Sequence, residues 1–223
     1  MKKIKEGKEK MDEIETINLF NLDETIAKSL LEKYEFPWEI LKDIGDFIIE
    51  LGKTLDANKF EQIGENIWIA KSAKVAPTAL VEGPTIIDED AEIKHGAYIR
   101  GKAIVGKNAV VGNSTELKNC ILFNNVQAPH FNYVGDSILG YKAHLGAGVI
   151  LSNLRSDKQN IKIKCNGQKI ETGLRKIGAM IGDNSEIGCN SVLNPGTVLG
   201  KNVTIYPLSC VRGVINKNSI YKN

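Results

Sequence analysis

A chain of 223 residues with 29 basic and 27 acidic side chains has a formal net charge of +2, so no global field favours nucleic acid. Hydrophobic residues at 42% and charged residues at 25% describe an ordinary soluble globular protein, long enough for one domain and a modest appendage. No stretch approaches the roughly 20 apolar residues of a membrane helix, and the Lys- and Glu-rich start is not a secretory signal. The expected location is the cytoplasm, with Cys120, Cys165, Cys189 and Cys210 as small buried or half-buried thiols without metal-ligand spacing.

In chain order, residues 1–58 are predicted to form a solvated tail, from Met1 to Lys10, followed by two amphipathic helices. Asp23 suits the cap of a first helix whose apolar positions are Ile26, Leu30, Leu31 and Tyr34. Pro37 suits the first turn of a second, with Trp38, Leu41, Ile44, Phe47, Ile48 and Leu51 on one stripe and Gly52 as a stop. Helices this short need a surface to pack on, and an end or flank of the next unit is the expected one.

From Ile63 the periodicity changes to six. Ile63, Ile69, Val75, Val81, Ile87, Ile93, Ile99, Val105, Val111 and Leu117 start successive repeats, and a small residue such as Ala91, Ala97, Ala103, Ala109 or Thr115 follows four positions later. The period returns at Leu139, Leu145 and Leu151, and again from Ile181 through Ile187, Leu193, Leu199 and Ile205 to Val211. A fixed repeat of this kind predicts a solenoid over residues 59–223. Each hexad is a short strand and a tight turn, about three hexads close a triangular coil, and stacked coils supply one another's core. Six residues do not match the helical 3.6, and the turn signals of an antiparallel sheet are missing.

Two interruptions break the repeat. Residues 123–138 lose the phase, and residues 153–176 form an inserted arm whose Asn166-Gly167 pair is a two-residue hairpin signal. His130, in the first interruption, is the leading candidate for a general base, because imidazole titrates near neutral pH. His95 is expected to be solvated. His144 precedes the run Gly146, Ala147, Gly148, where small residues either let a ligand approach the main chain or simply turn a corner. Asn153 is either a turn former or an amide that orients a substrate. Arg100, Lys118, Lys158 and Lys162 are suited to a phosphate, or are solvated charges.

The stretch GNSTELKNC, PHFNYVGDSILG, LGAG, SNLRSD, KIGAMIGDNSEIG and NPG resembles the C-terminal β-helix of bifunctional sugar-1-phosphate nucleotidylyltransferase/N-acetyltransferases of archaeal type. The resemblance covers roughly residues 35 to 215 and supplies the left hand of the coil, which periodicity cannot. It implies an all-β solenoid that binds acetyl-coenzyme A and acetylates the amino group of a hexosamine 1-phosphate. His130 is then the base, Tyr133 and Asn153 contact the amino sugar, and Arg100, Lys118 and Lys158 hold the phosphate. His144 belongs with the acceptor contacts, and Ala147, Gly148 and Cys189 with the coenzyme. The resemblance further implies a homotrimer with its site between neighbours. It implies no resident metal, because a thioester is already activated.

Three positions depart from the family pattern. His144 stands where Asn is usual, Gln159 where an arm lysine is usual, and Ile205 to Leu208 replaces a late glycine motif. They support the alternative, a non-catalytic trimeric sugar-nucleotide-binding or scaffold module serving a separate nucleotidyltransferase. A third reading keeps the acyl transfer and takes a nucleotide-linked amino sugar as acceptor. No glycine-rich nucleotide loop occurs in the first 60 residues, so the nucleotidyltransferase domain itself is not expected here.

Overall fold

The computed structural model describes residues 13–165 and 167–222. The expected tail from Met1 to Lys10 and the turn residue Asn166 lie outside the described residues. The chain winds as a left-handed parallel β-helix of about nine turns. Its three faces each carry one inward column of aliphatic side chains.

One column runs Ile69, Ile87, Val105, Leu122, Leu139, Ile181, Leu199 in parallel register. A second runs Val75, Ile93, Val111, Ala128, Leu145, Ile187, Ile205. A third runs Val81, Ile99, Leu117, Val134, Leu151, Leu193, Val211. From Ile87 to Val211 the column members are buried. Each stacked aliphatic side chain contributes about 1.5–3 kcal/mol of burial, so the column is where most of the stability resides.

The coil begins one strand later than the periodicity predicts. Phe60–Gly64 pairs antiparallel with Ile67–Ala70, and Ile63 is exposed. With no coil beneath it, Ile63 has nothing to stack on, and its strand folds back as a flap.

The first interruption also differs from expectation. Residues 123–138 stay in the coil; the inward step shortens from six residues to five between Leu117 and Leu122, and again between Val134 and Leu139. Glu116–Leu122 and Tyr133–Leu139 therefore run as continuous strands through what is elsewhere a corner. At that shortened corner Asn119 and Asp136 both take left-handed φ, near 49°. Asn and Asp tolerate that region better than other residues with a Cβ.

The arm leaves and rejoins the coil at a Leu154 to Lys176 bridge. Lys162–Cys165 and Gln168–Glu171 form its hairpin, with Cys165 opposite Gln168. Ile161, Ile163 and Cys165 are buried and tie the arm down.

The N-terminal segment is more broken than two helices. It comprises Thr16–Leu19, a 3₁₀ turn at Leu22–Glu24, Lys28–Leu31, a 3₁₀ helix at Pro37–Lys42, and an α-helix at Ile44–Gly52. Asp23 caps nothing; Asn21 accepts from the Asp23 N–H, and Asp23 pairs with Lys28 instead. Four- and three-residue turns suffice because the coil flank, not helix propensity, supplies their stability. Phe20 packs on Phe123, with ring centroids 5.1 Å apart, and Trp38 is buried beneath a stacked Phe36. Among the described residues no helix is long and apolar enough to cross a membrane.

Tight stacking makes some glycines irreplaceable. A Cβ on Gly112 would fall 1.6 Å from the Pro129 carbonyl oxygen of the next coil. Gly112→Ala is therefore expected to destabilise the protein by about 3 kcal/mol, because backbone on backbone cannot relax locally. Chemical denaturation checks this, and an unchanged midpoint would contradict the stacking of these two coils.

Candidate active site

Tyr133, Asn153 and Lys118 come together, and a residue not singled out in the sequence joins them. Asp136 is only 4% exposed. Its carboxylate accepts from Asn119 Nδ2 at 2.8 Å, from Asn153 Nδ2 at 2.5 Å, and from Lys118 Nζ at 3.2 Å to each oxygen. Asn153 Nδ2 also reaches the Tyr133 hydroxyl at 3.1 Å. Gly135 makes room for this crossing: a Cβ there would lie 2.5 Å from the Tyr133 hydroxyl and 2.8 Å from Asn153 Nδ2. Partial burial and the nearby Asp136 charge push the Tyr133 phenol above its usual range, so it stays neutral and keeps its proton to donate. The signal for Asp136 was available in the YVGD motif, but a lone carboxylate among aliphatic residues does not announce its three partners.

Arg100 lies one coil below, beside Glu116. The two are joined at 2.6 Å, and the guanidinium sits 5.9 Å from the Tyr98 ring centre. Two of the cations expected to hold a phosphate, Arg100 and Lys118, thus already face a carboxylate. Lys158 stands apart, exposed at a left-handed position in the arm turn.

His130 ends the strand Gln127–His130 on the adjoining face, and Tyr133 begins the next strand after the Phe131-Asn132 corner. Its backbone is fixed: the N–H donates to Asn132 Oδ1 at 3.2 Å, and the carbonyl accepts from Gly148 N–H at 3.0 Å. Its side chain is exposed and has no polar partner among the described residues. Phe131 beside it is 59% exposed at φ 54°, a costly backbone region for an aromatic residue, and its ring tilts toward the imidazole. Within one chain no hydrogen bond or ion pair among the described residues joins the His130 side chain to Tyr133, Asn153 or Lys118; the two groups occupy faces that meet at one edge of the prism.

Ala147 stacks one coil above His130, about 4.8 Å away by coil spacing. Its N–H has no backbone acceptor among the described residues, whereas the Gly148 N–H is committed to His130. Gly148 is left-handed at φ 73°, and a Cβ there would strike Asn190 Oδ1, so a structural reason accounts for it. Cys189 stacks above Ala147 and is exposed, as is Cys210, against the expectation of burial; only Cys120 and Cys165 are buried. Both exposed thiols stand on outward positions of the coil. His144 lies on the same face, its Nδ1 2.7 Å from Glu186, and His95 is paired with the Thr78 hydroxyl at 2.6 Å. No cluster of three metal-ligating side chains occurs among the described residues.

Residues 178–213 match the family model of bacterial transferase hexapeptides (six repeats), in keeping with the six-residue columns of the coil. Residues 81–173 match the GMPPB C-terminal domain model. The chain is 34% identical over 109 residues to the bifunctional sugar-1-phosphate nucleotidylyltransferase/acetyltransferase of Sulfurisphaera tokodaii. It is 40% identical over 111 residues to the bifunctional protein GlmU of Methanococcus vannielii. Each match covers 49% of this chain and 27% of the relative, so the chain matches about a quarter of those proteins' length. Its β-helix is of the kind that forms the C-terminal domain of such bifunctional enzymes. Among solved structures, PerB from Caulobacter crescentus in complex with CoA and GDP-perosamine has a TM-score of 0.35 and 19% identity, over 67% of this chain and 54% of that one.

Proposed function

We propose that the protein is an acyltransferase that moves the acetyl group of acetyl-coenzyme A to the amino group of a hexosamine 1-phosphate. The observation that carries this reading is the edge itself. An unencumbered imidazole, His130, lies one coil below an uncommitted N–H, Ala147, and around the corner from a neutral phenol and an oriented amide, Tyr133 and Asn153.

A protonated amine is no nucleophile. His130 takes a proton from the amine as its nitrogen attacks the thioester carbon. The tetrahedral oxyanion lies within reach of a backbone donor such as the Ala147 N–H. The C–S bond then breaks, and the proton held by His130 passes to the departing thiolate. Tyr133 and Asn153 hold the sugar so that attack is effectively intramolecular, which is where much of the acceleration in two-substrate reactions arises.

A site divided between two faces at one edge is completed by a second copy of the chain set against that edge. We propose, as the family resemblance implies, that this assembly is a homotrimer, with each edge groove closed by a neighbour.

A thermal-shift titration tests the donor. Acetyl-coenzyme A at a hundred times its Kd stabilises the native state by about 2.7 kcal/mol, which raises Tm by several degrees. No shift at millimolar acetyl-coenzyme A would overturn the enzyme reading in favour of the non-catalytic module.

A further inference from the structure

We infer that the pocket between the arm and the last coils, faced by Lys164 and Arg212, is a seat for the phosphate or diphosphate end of a ligand. The inference extends the proposed site by saying which cations meet the phosphate. It is read through binding, so it stands or falls separately from acetyl transfer.

The reasoning starts from charge. Arg100 is joined to Glu116 at 2.6 Å, and Lys118 to both oxygens of Asp136 at 3.2 Å. An incoming phosphate must compete with carboxylates already in place there, which removes most of the local attraction. The same outward column continues upward from Lys118 through Gly135, Ser152 and Asn194 to Arg212. Gly135 and Ser152 keep its floor low.

The arm forms the opposite wall. Ile161 and Ile163 are buried against the coil, with Ile161 beside Gly196, and Lys162 and Lys164 alternate outward to line the pocket. Of the four cations lining it, Arg155 is held by Asp157 at 2.5 Å and Lys162 by Glu171 at 2.7 Å. Lys164 and Arg212 have no carboxylate within ion-pair distance among the described residues. They come from two different elements, and Ser152 shares the lining with them. A guanidinium fork on one wall and an ammonium on the other suit a polyvalent tetrahedral anion better than a single carboxylate, which one fork would satisfy.

The field is felt by a neighbour. The Cys210 thiol sits below its usual range because the Asn194 amide, 3.3 Å from the sulfur, and the Arg212 guanidinium favour the thiolate.

Isothermal titration of the full chain with inorganic diphosphate tests the seat. The wild type is expected to bind, with affinity that falls as salt rises. The Lys164→Ala/Arg212→Ala double variant should bind at least tenfold more weakly, and Arg100→Ala should match the wild type. Both altered side chains are exposed, and an unchanged circular-dichroism spectrum confirms that the double variant folds. Bound diphosphate should also slow alkylation of Cys210 but not of Cys189.

Two further arms identify the source of the phosphate. Loss confined to ADP assigns the seat to the nucleotide end of the acyl donor, and loss confined to glucosamine 1-phosphate assigns it to the acceptor. Equal diphosphate affinity in the double variant, a larger loss in Arg100→Ala, or binding that leaves Cys210 as reactive as before would each overturn the inference.

Discussion

The His130→Ala variant is expected to keep the circular-dichroism spectrum and oligomeric state of the wild type while losing acetyl transfer to glucosamine 1-phosphate by about a hundred- to ten-thousand-fold. The two halves of this expectation have separate causes. The His130 side chain is exposed, and its structural bonds are made by its backbone, which alanine retains. The chemistry, in contrast, finds no replacement in either of the other two histidines. His144 faces Glu186, and His95 lies two coils below, paired with Thr78. The loss should appear in kcat, because the imidazole acts on a proton that moves only in the transition state. Turnover near that of the wild type would remove His130 from the mechanism, and unfolding would mean that its side chain carries structural weight beyond its backbone bonds.

Replacement of Asp136 should have the other large effect, and on both properties at once. Asp136→Ala withdraws the acceptor from Lys118, Asn119 and Asn153 together. Removing one partner of a buried ion pair costs about 3–5 kcal/mol, and here the lower end applies because the Lys118 side chain is 27% exposed and can reach water. Asp136→Asn separates packing from charge. It keeps the volume but turns an amide N–H toward the amide donors of Asn119 and Asn153, so Asn153 loses its orientation. Misplacing a substrate contact by about 1 Å is worth roughly a hundredfold in rate, and the Asp136→Asn enzyme should lose on that order in kcat/KM while remaining folded. A double-mutant cycle between Asp136 and Lys118 should show a clear coupling energy, since the two share one network. Additive effects would mean that the carboxylate does not organise the cluster.

Much of this molecule is written in its periodicity. Aliphatic residues six apart from Ile69 to Val211 can be satisfied together only by a stacked column, and burial of Ile87, Ile93 and Ile99 follows from that requirement alone. The same pattern marked the out-of-phase segment that holds His130 and the arm between 153 and 176, whereas the grouping of Tyr133 with Asn153 came from the resemblance in motif, which carries relative positions within a regular scaffold.

Other features depended on neighbours remote in sequence. Ile63 keeps the period yet lies outside the column, because inward positions acquire meaning only when a coil exists on either side. The slip at residues 123–138 read as a break in the repeat, but parallel pairing absorbed it as one missing residue at each of two corners, and there Asn119 and Asp136 meet. The pairing of Arg100 with Glu116 and of Lys118 with Asp136, and the pocket shared by Lys164 and Arg212, join residues up to tens of positions apart. Charge tells a sequence reader how many cations there are, but only three-dimensional proximity decides which are neutralised, because Coulomb attraction depends on distance through space and not along the chain.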